Sequence, residues 1–421
     1  MKKYVFITMN ISGINGAEQY IYNKMNYLKA NGYQVLVFSG RPGKILIDGF
    51  REHEELIHPA LRFFPYYLSG YEYKKVVAWI CSVIDIKAGD TCIVESSNVI
   101  SALWGEVIAK KLGCRHLAII LTENRKYAQD KSVQDTRSFL EFKLQRHELS
   151  GIFDDSVSKM LGKKDLPFRP DMRVRAYCNN VVQDCEDRFS HLLNPSADYT
   201  LGSIGRLEKD YVPALMEQLM TYFASHSDKK YNLLLIGGCA DKRKLKRIKK
   251  TFAKCSNVTL VMTGNLYPIP RTLVRKADLF ISASGSSAVS YYENVPSVRV
   301  HHLTAEPLGI FGYDIGTAAH SAVPEKRSLH DCIDQIIKET LEISYIDDFE
   351  KTYYEKMHTE FARQLQFGEE QEIGGYYDAL SVQNASRMYR WYRIVCRIFG
   401  VRFTYGLLEC VRKLVRGSGG E

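Results

Sequence analysis

The stretch Ser203-Ile204-Gly205-Arg206-Leu207-Glu208-Lys209-Asp210 decides how this chain is read. An apolar run from Tyr199 to Ile204 stops at Gly205, two cations follow at Arg206 and Lys209, and a helix is predicted over Val212–Ala224. A strand that ends in glycine and hands over to basic residues before a helix suits a phosphate. The helix N-terminus offers free N–H groups and partial positive charge, and Arg and Lys add full charges. The plain alternative is a solvated helix start. Arg206, directly behind a strand-terminal glycine, falls at the carboxyl edge of a sheet, where open α/β folds bind ligands, and this favours the phosphate. A second glycine turn, Ile11-Ser12-Gly13-Ile14-Asn15-Gly16-Ala17-Glu18, follows the first predicted strand. Two such turns, far apart in one chain, point to two Rossmann-like α/β domains facing each other across a cleft and closing on one anionic ligand.

The periodicity around these turns agrees. Strands are predicted at Tyr4–Met9, Tyr33–Phe38, Thr91–Val94, Arg115–Leu121 and Arg173–Cys178, with helices at Ala17–Asn31, Ile100–Leu112 and Ser138–Leu149. The second half alternates more cleanly, with strands at Thr200–Ile204, Asn232–Ile236, Val258–Met262, Leu279–Ser282 and Ser297–Val300. Helices are predicted between them at Val212–Ala224, Lys242–Ala253, Arg271–Lys276 and Ala288–Asn294. Alternating strands and crossover helices demand parallel sheets. The division expected is a first domain over 1–190, a second over 191–345, a helical return over 346–385 and a basic tail over 386–421.

The chain has 421 residues, 45% hydrophobic and 25% charged, as expected of a globular two-domain protein. Its ten cysteines form no CxxC pair and no zinc-like spacing with histidine, so reduced thiols in the cytoplasm are expected. Met1-Lys2-Lys3 leads straight into a strand, with no signal-peptide pattern, and no apolar run is long enough to span a bilayer. The net charge is +9, of which the segment from Ser386 to Arg416 supplies +7, with eight cations against Glu409. The remainder sums to near neutrality, which argues against nucleic acid as a partner. In that tail Arg387, Arg390, Arg393 and Arg397 recur at helical spacing among Trp391, Tyr392, Ile394, Ile398 and Phe399. A basic amphipathic helix fits the anionic inner face of the cytoplasmic membrane; packing on the protein body is the plainer alternative, and charge this dense on an otherwise near-neutral chain favours the membrane.

Other positions can carry chemistry. Gly13 and Gly16 let backbone N–H groups approach a diphosphate, or serve only as a tight turn. The full dinucleotide fingerprint is missing, and Phe38-Ser39-Gly40 supplies no acidic residue after the second strand, so a nicotinamide cofactor is disfavoured. Ser282-Ala283-Ser284-Gly285-Ser286-Ser287 joins a strand to a helix and can cradle an anion, cap the helix, or both. Glu123, within Thr122-Glu123-Asn124, follows an apolar strand and reads as a base, a sugar-hydroxyl ligand or a common loop carboxylate. Phe63-Phe64-Pro65-Tyr66-Tyr67 suits a lipid, a sugar or the core, and His301-His302 has no metal-ligand spacing.

Taken together these motifs resemble GT-B-fold glycosyltransferases, and glycosyltransferase family 4 with its bacterial surface-polysaccharide relatives in particular, over roughly residues 1–320. Gly13-Ile14-Asn15-Gly16-Ala17-Glu18 resembles that family's first loop, and Ala176-Tyr177-Cys178-Asn179-Asn180-Val181 the element closing its first domain. Gly205-Arg206-Leu207 with Lys209 resembles its diphosphate-holding motif, and Val258–Gly264 the strand before its nucleobase pocket. Ala277-Asp278-Leu279-Phe280 and Val295-Pro296-Ser297-Val298 resemble two further elements. The family's paired glutamates are absent: the second would fall on Val289, and Glu293 lies one helical turn beyond. The resemblance implies a metal-independent hexosyltransferase without a cofactor, using a UDP- or GDP-linked sugar donor and a lipid-linked glycan acceptor in capsule, exopolysaccharide or lipopolysaccharide assembly. The donor contacts implied are Gly13, Gly16, Gly205, Arg206, Lys209, Thr263, Gly264, Ser286, Ser287 and Glu293, with Arg206, Lys209 and Glu123 as catalytic candidates. A sugar-nucleotide epimerase of the same fold and a catalytically silent scaffold are the rival expectations.

Overall fold

The computed structural model describes residues 1–121, 136–178, 181–315, 327–339, 341–345, 349–369, 374–382 and 387–417. The chain divides into two compact units, one of residues 1–178 and 354–419, the other chiefly of residues 179–353.

In the first unit, strands β1 (Lys2–Thr8), β2 (Tyr33–Ser39), β3 (Thr91–Ser96), β4 (Arg115–Ile120) and β5 (Leu149–Gly151) form a sheet in the order β2-β1-β3-β4-β5. Every pairing in it is parallel. From Lys3 onward β1 is wholly buried, the pattern of a parallel strand covered on both faces. Helices α1 (Gly16–Ala30), α2 (Gly70–Ile84), α3 (Val99–Leu112), α4 (Arg137–Gln145) and α5 (Ser156–Leu161) surround it. Asn98 and Ser101 form a reciprocal capping box at the start of α3, and Gly113 ends that helix in the left-handed conformation (φ 66°).

Two sequence expectations change here. The last strand of this sheet is β5, which starts at Leu149, the residue where the predicted helix Ser138–Leu149 was to end; α4 stops earlier, at Gln145, and His147 at φ 58° turns the chain after it. The segment predicted as a strand over 173–178 contributes only an isolated bridge from Arg173 to Gly151. Helix α2 was not predicted; it starts where the Ser69 hydroxyl accepts the Glu72 N–H. The aromatic run before it is core, with Phe63, Phe64, Tyr66 and Tyr67 all buried.

In the second unit, β7 (Tyr199–Ile204), β8 (Tyr231–Ile236), β9 (Val258–Gly264), β11 (Leu279–Ala283), β12 (Ser297–Val300) and β13 (Pro307–Ile310) form a sheet in the order β13-β12-β11-β7-β8-β9. Only the β12–β13 pairing is antiparallel. Two short strands, β6 (Val182–Gln183) and β10 (Ile269–Pro270), pair apart from it. The helices are α6 (Val212–Ser225), α7 (Lys242–Phe252), α8 (Arg271–Val274), α9 (Ser287–Tyr291) and α10 (Leu329–Lys338).

The last two helices, α11 (Phe349–Glu369) and α12 (Arg387–Gly417), bring the chain back to the first unit. Phe361 of α11 makes edge contacts with Tyr20 of α1 and with Tyr177, and a tilted contact with Tyr27. Beneath them Lys24 is fully buried, its ammonium 2.5 Å from Glu95 Oε2 and 2.6 Å from Gln364 Oε1. Tyr4 donates to the same Glu95 oxygen and Tyr20 to Gln364. Helix α12 breaks at Gly400 (φ 77°), where the Val401 N–H is accepted by Glu72 Oε1 at 3.1 Å. Its inner side buries Cys396, Val401 and Thr404. Arg393 lies over the Tyr66 ring, Arg397 donates to the Tyr66 carbonyl, and Arg62 pairs with Glu409 while stacking on Tyr405. Its outer side exposes Trp391, Ile394, Ile398, Phe399, Phe403 and Leu407, each 46–69% accessible.

Candidate functional site

In an open parallel sheet the ligand crevice lies where successive crossovers leave in opposite directions, outside the carboxyl ends of two neighbouring strands. In the second unit the strand order puts this point between β7 and β11. The segments leaving those strands are Gly205–Asp210 and Ser284–Ser286, two of the stretches singled out from the sequence. They adjoin: a Cβ on Gly205 would lie 3.8 Å from Ser286 Oγ and 3.3 Å from the Tyr211 hydroxyl.

The turn is held from below. The Gly205 N–H donates to the Ile236 carbonyl at 2.9 Å and the Leu207 N–H to the Gly238 carbonyl at 2.9 Å. The Ile204 N–H donates to Ser282 Oγ at 2.8 Å, tying β7 to β11 just before the crevice. Gly205 and Gly237 have φ of 147° and 155°, which glycine tolerates and other residues rarely adopt. A Cβ on Gly237 would sit 1.9 Å from the Gly205 carbonyl oxygen, so only glycine lets the two backbones lie this close. Gly237→Ala is therefore expected to displace the Gly205-Arg206 turn and to weaken, by about tenfold or more, binding of the phosphate ligand expected there from the sequence, while the circular dichroism spectrum stays native. Calorimetric titration with nucleoside diphosphates checks this; unchanged affinity would show that the turn is not part of such a site.

The Arg206 side chain is 56% exposed, and its ion-pair neighbour among the described residues is Glu208 at 3.5 Å. It can turn to an arriving anion at little structural cost. Lys209 lies on the same turn, its N–H donating to the Arg206 carbonyl at 3.3 Å. The two serines differ. Ser287 is buried and donates to the Ser284 carbonyl at 2.6 Å, whereas Ser286 is half-buried beside Gly205. Thr263 and Gly264 end β9, two strands away from β7, and the Thr263 hydroxyl donates to the Gly264 carbonyl. Glu293 accepts from Arg271 through both oxygens, at 3.0 and 2.9 Å, and lies 3.4 Å from Arg275. Val289, at the place of the missing glutamate, is core.

The first unit has its own switch point, between β1 and β3. The glycine turn with Gly13 and Gly16 leaves β1 there, and Thr8 and Ser97 join hydroxyls across the two strand ends at 2.8 Å. Substituents on Gly13 and Gly16 would meet the Asn15 amide at 2.9 Å and Cys178 Sγ at 3.1 Å. One residue of this turn was quoted from the sequence without a role. Glu18 is buried, accepts from Asn10 Nδ2 at 2.9 Å, and burial raises its pKa. Its other oxygen has no hydrogen-bond partner among the described residues. Glu at the third position after an Asn cap was the available signal. Glu123 lies outside the described residues, with Thr122 and Asn124.

A Ser96–His116–Glu106 line has the atom order of a nucleophile triad, with contacts of 3.1 and 3.0 Å. All three are buried, and the Ser96 hydroxyl also donates to the Ser101 carbonyl, so this is a core network. Burial, then Lys143, lowers the His116 pKa to about 4. Among the described residues no group of three or more His, Cys, Asp or Glu could hold a metal ion.

No protein-family model and no curated protein matches the sequence. Solved structures do match in shape. The Anabaena protein Alr3699/HepE, solved with UDP and glucose, superposes with a TM-score of 0.57 at 12% identity, over 86% of this chain and 99% of that one. A glycosyltransferase from Rickettsia africae gives 0.48 at 13%, over 86% and 93%. The UDP-GlcNAc 2-epimerase of Methanocaldococcus jannaschii, solved with UDP-GlcNAc and UDP, gives 0.45 at 13%, over 87% and 100%. The fold resembles GT-B. At 12% identity the likeness to the Anabaena protein shows the fold alone, two Rossmann-like domains, and leaves the reaction to the site itself.

Proposed function

We propose that the protein transfers a hexosyl group from a nucleoside diphosphate sugar, UDP- or GDP-linked, to a lipid-linked glycan acceptor in surface-polysaccharide assembly. The observation that carries this reading is the adjoining pair of segments, Gly205-Arg206 and Ser284–Ser286, at the switch point of the second sheet. The UDP and glucose held by the Anabaena protein of like fold support a donor of this class. Breaking the sugar–phosphate bond leaves negative charge on the departing diphosphate. Arg206, Lys209, Ser286 and the backbone N–H groups of the turn would stabilise it, cations of the chain serving where other enzymes use a metal. Thr263 and Gly264 would border the nucleobase, the Gly13–Gly16 turn would approach the diphosphate or acceptor, and Glu123 would take the acceptor proton.

The test is incubation with a panel of nucleotide sugars and a lipid-linked acceptor extract, following release of free nucleoside diphosphate. Transfer with one donor is expected. Tight nucleotide binding without turnover would establish the silent scaffold instead, which Val289 in place of a glutamate would suit. Conversion of a donor into its epimer, without transfer to the acceptor or net release of nucleotide, would establish the epimerase.

A lipid-linked acceptor places the enzyme at the cytoplasmic face of a membrane. Among the described residues no helix is long and apolar enough to cross one. The outer side of α12, from Trp391 to Leu407, is the surface we propose meets the lipid, with Arg390 and Arg402 exposed beside it. Of the cations expected there, Arg393 lies over the Tyr66 ring, Arg397 is exposed while donating to the Tyr66 carbonyl, and the side chain of Arg387 lies outside the described residues. Trp391→Ala with Phe403→Ala is expected to lower partitioning onto phosphatidylglycerol vesicles by about tenfold or more, since each aromatic gains about 1.5–3 kcal/mol on leaving water. Cosedimentation measures it, and unchanged partitioning would refute a lipid role for this face.

A further inference from the structure

Seven of the eleven residues of α7 are cationic: Lys242, Arg243, Lys244, Lys246, Arg247, Lys249 and Lys250. There is no acidic residue among the eleven. The near-neutral charge sum outside the tail concealed this, because acidic residues elsewhere cancel it. The apolar side of the helix is narrow, burying Ile248 and Phe252. Two of the cations serve the fold: Lys244 donates to the Glu208 carbonyl at 2.7 Å and Arg247 pairs with Glu217 at 3.3 Å. Lys242, Arg243, Lys246, Lys249 and Lys250 are exposed, and none has a carboxylate within ion-pair distance among the described residues.

This arrangement works against the helix. Lys242, Arg243 and Lys244 occupy its first turn, where the macrodipole disfavours cations. Lys242 and Lys246, and Lys246 and Lys250, repel at i,i+4 spacing. The Asp241 cap, accepting the Arg243 and Lys244 N–H groups, offsets part of this. A surface that breaks local rules with only one cap to offset it points to an external partner.

We propose that α7 docks the second unit on an anionic lipid surface. Of its five outward cations four are lysines, compact charges without the planar fork that selects one phosphate geometry, as suits a diffuse layer of headgroups. The face offers no exposed aromatic on which a base could stack, which disfavours single-stranded nucleic acid. The inference is independent of the transferase reading, since a scaffold would use the same surface.

The experiment replaces Lys242, Arg243, Lys246, Lys249 and Lys250 by glutamine in the full chain. Vesicles of phosphatidylcholine with phosphatidylglycerol are compared with pure phosphatidylcholine at low and high sodium chloride. Each cation at such a surface contributes about fivefold, so the variant should bind the anionic vesicles about a hundredfold or more weaker at low salt. The salt dependence of the wild-type chain should largely disappear with it. A far-ultraviolet circular dichroism spectrum and a thermal transition matching those of the wild type would show that the second unit is folded. Unchanged vesicle binding by the variant would overturn the proposal. So would wild-type binding to duplex DNA that is as tight as to the vesicles and is lost with the same substitutions, since the face would then serve nucleic acid.

Discussion

Arg206→Ala is expected to lower kcat/KM for donor turnover at least about tenfold. A charge-assisted hydrogen bond to a leaving phosphate contributes about 1.5–3 kcal/mol, and each 1.4 kcal/mol is about a factor of ten. The loss should fall mainly on kcat if Arg206 meets charge that appears only as the bond breaks, and mainly on KM if it grips the ground-state diphosphate. Arg206→Lys should recover part of the activity, because the charge returns without the planar fork. Stability should hardly change: the side chain is half in solvent and its neighbour Glu208 is 3.5 Å away. Wild-type kinetics in Arg206→Ala would remove the turn from the reaction.

The largest effect on stability is expected from Lys24→Ala. The ammonium lies out of water between Glu95 and Gln364, and burial depresses its pKa even against the pull of Glu95. Removing it leaves Glu95 charged and enclosed, which costs about 3–5 kcal/mol. In a unit of this size that is a fall in Tm of roughly 6–20 °C. Lys24→Met combined with Glu95→Gln should recover most of it, because an apolar or neutral pair has no charge to desolvate. Calorimetry of the full chain should place the change in the first unit's transition. A single variant as stable as wild type would show that water reaches the pair.

Much of the architecture was legible in the sequence because parallel sheets write it plainly. Strands such as Tyr231–Ile236 are buried on both faces and read as continuous apolar runs, each ended by glycine or a helix cap. What was missed depended on contacts remote in sequence. The left-handed residue His147 cuts the predicted helix short and lets β5 start at Leu149, and nothing in the local pattern marks it. The antiparallel β13 is too short to show a period. At the site, the sequence named the Gly205 turn and the Ser284–Ser287 loop separately, and the underlying Gly237 was not given a role, since its need for a bare backbone arises only when β7 and β8 lie side by side. Glu293 looked available for a ligand; its engagement by Arg271 and Arg275 crosses an intervening strand and could not be read from spacing. The α12 cations differ in their partners for the same reason, as Tyr66 engages Arg393 and Arg397.

The return of the chain to its first unit bears on the order in which the protein is made. Residues 179–353 are one continuous stretch and can close their core as soon as they leave the ribosome. The earlier 1–178 gains its last contacts only afterwards: Lys24 waits for Gln364, and Tyr20 and Tyr27 for Phe361, all supplied late in synthesis. The half synthesised first is thus completed last, and during that interval its nascent α1 surface is the part of the molecule that a chaperone would need to shelter.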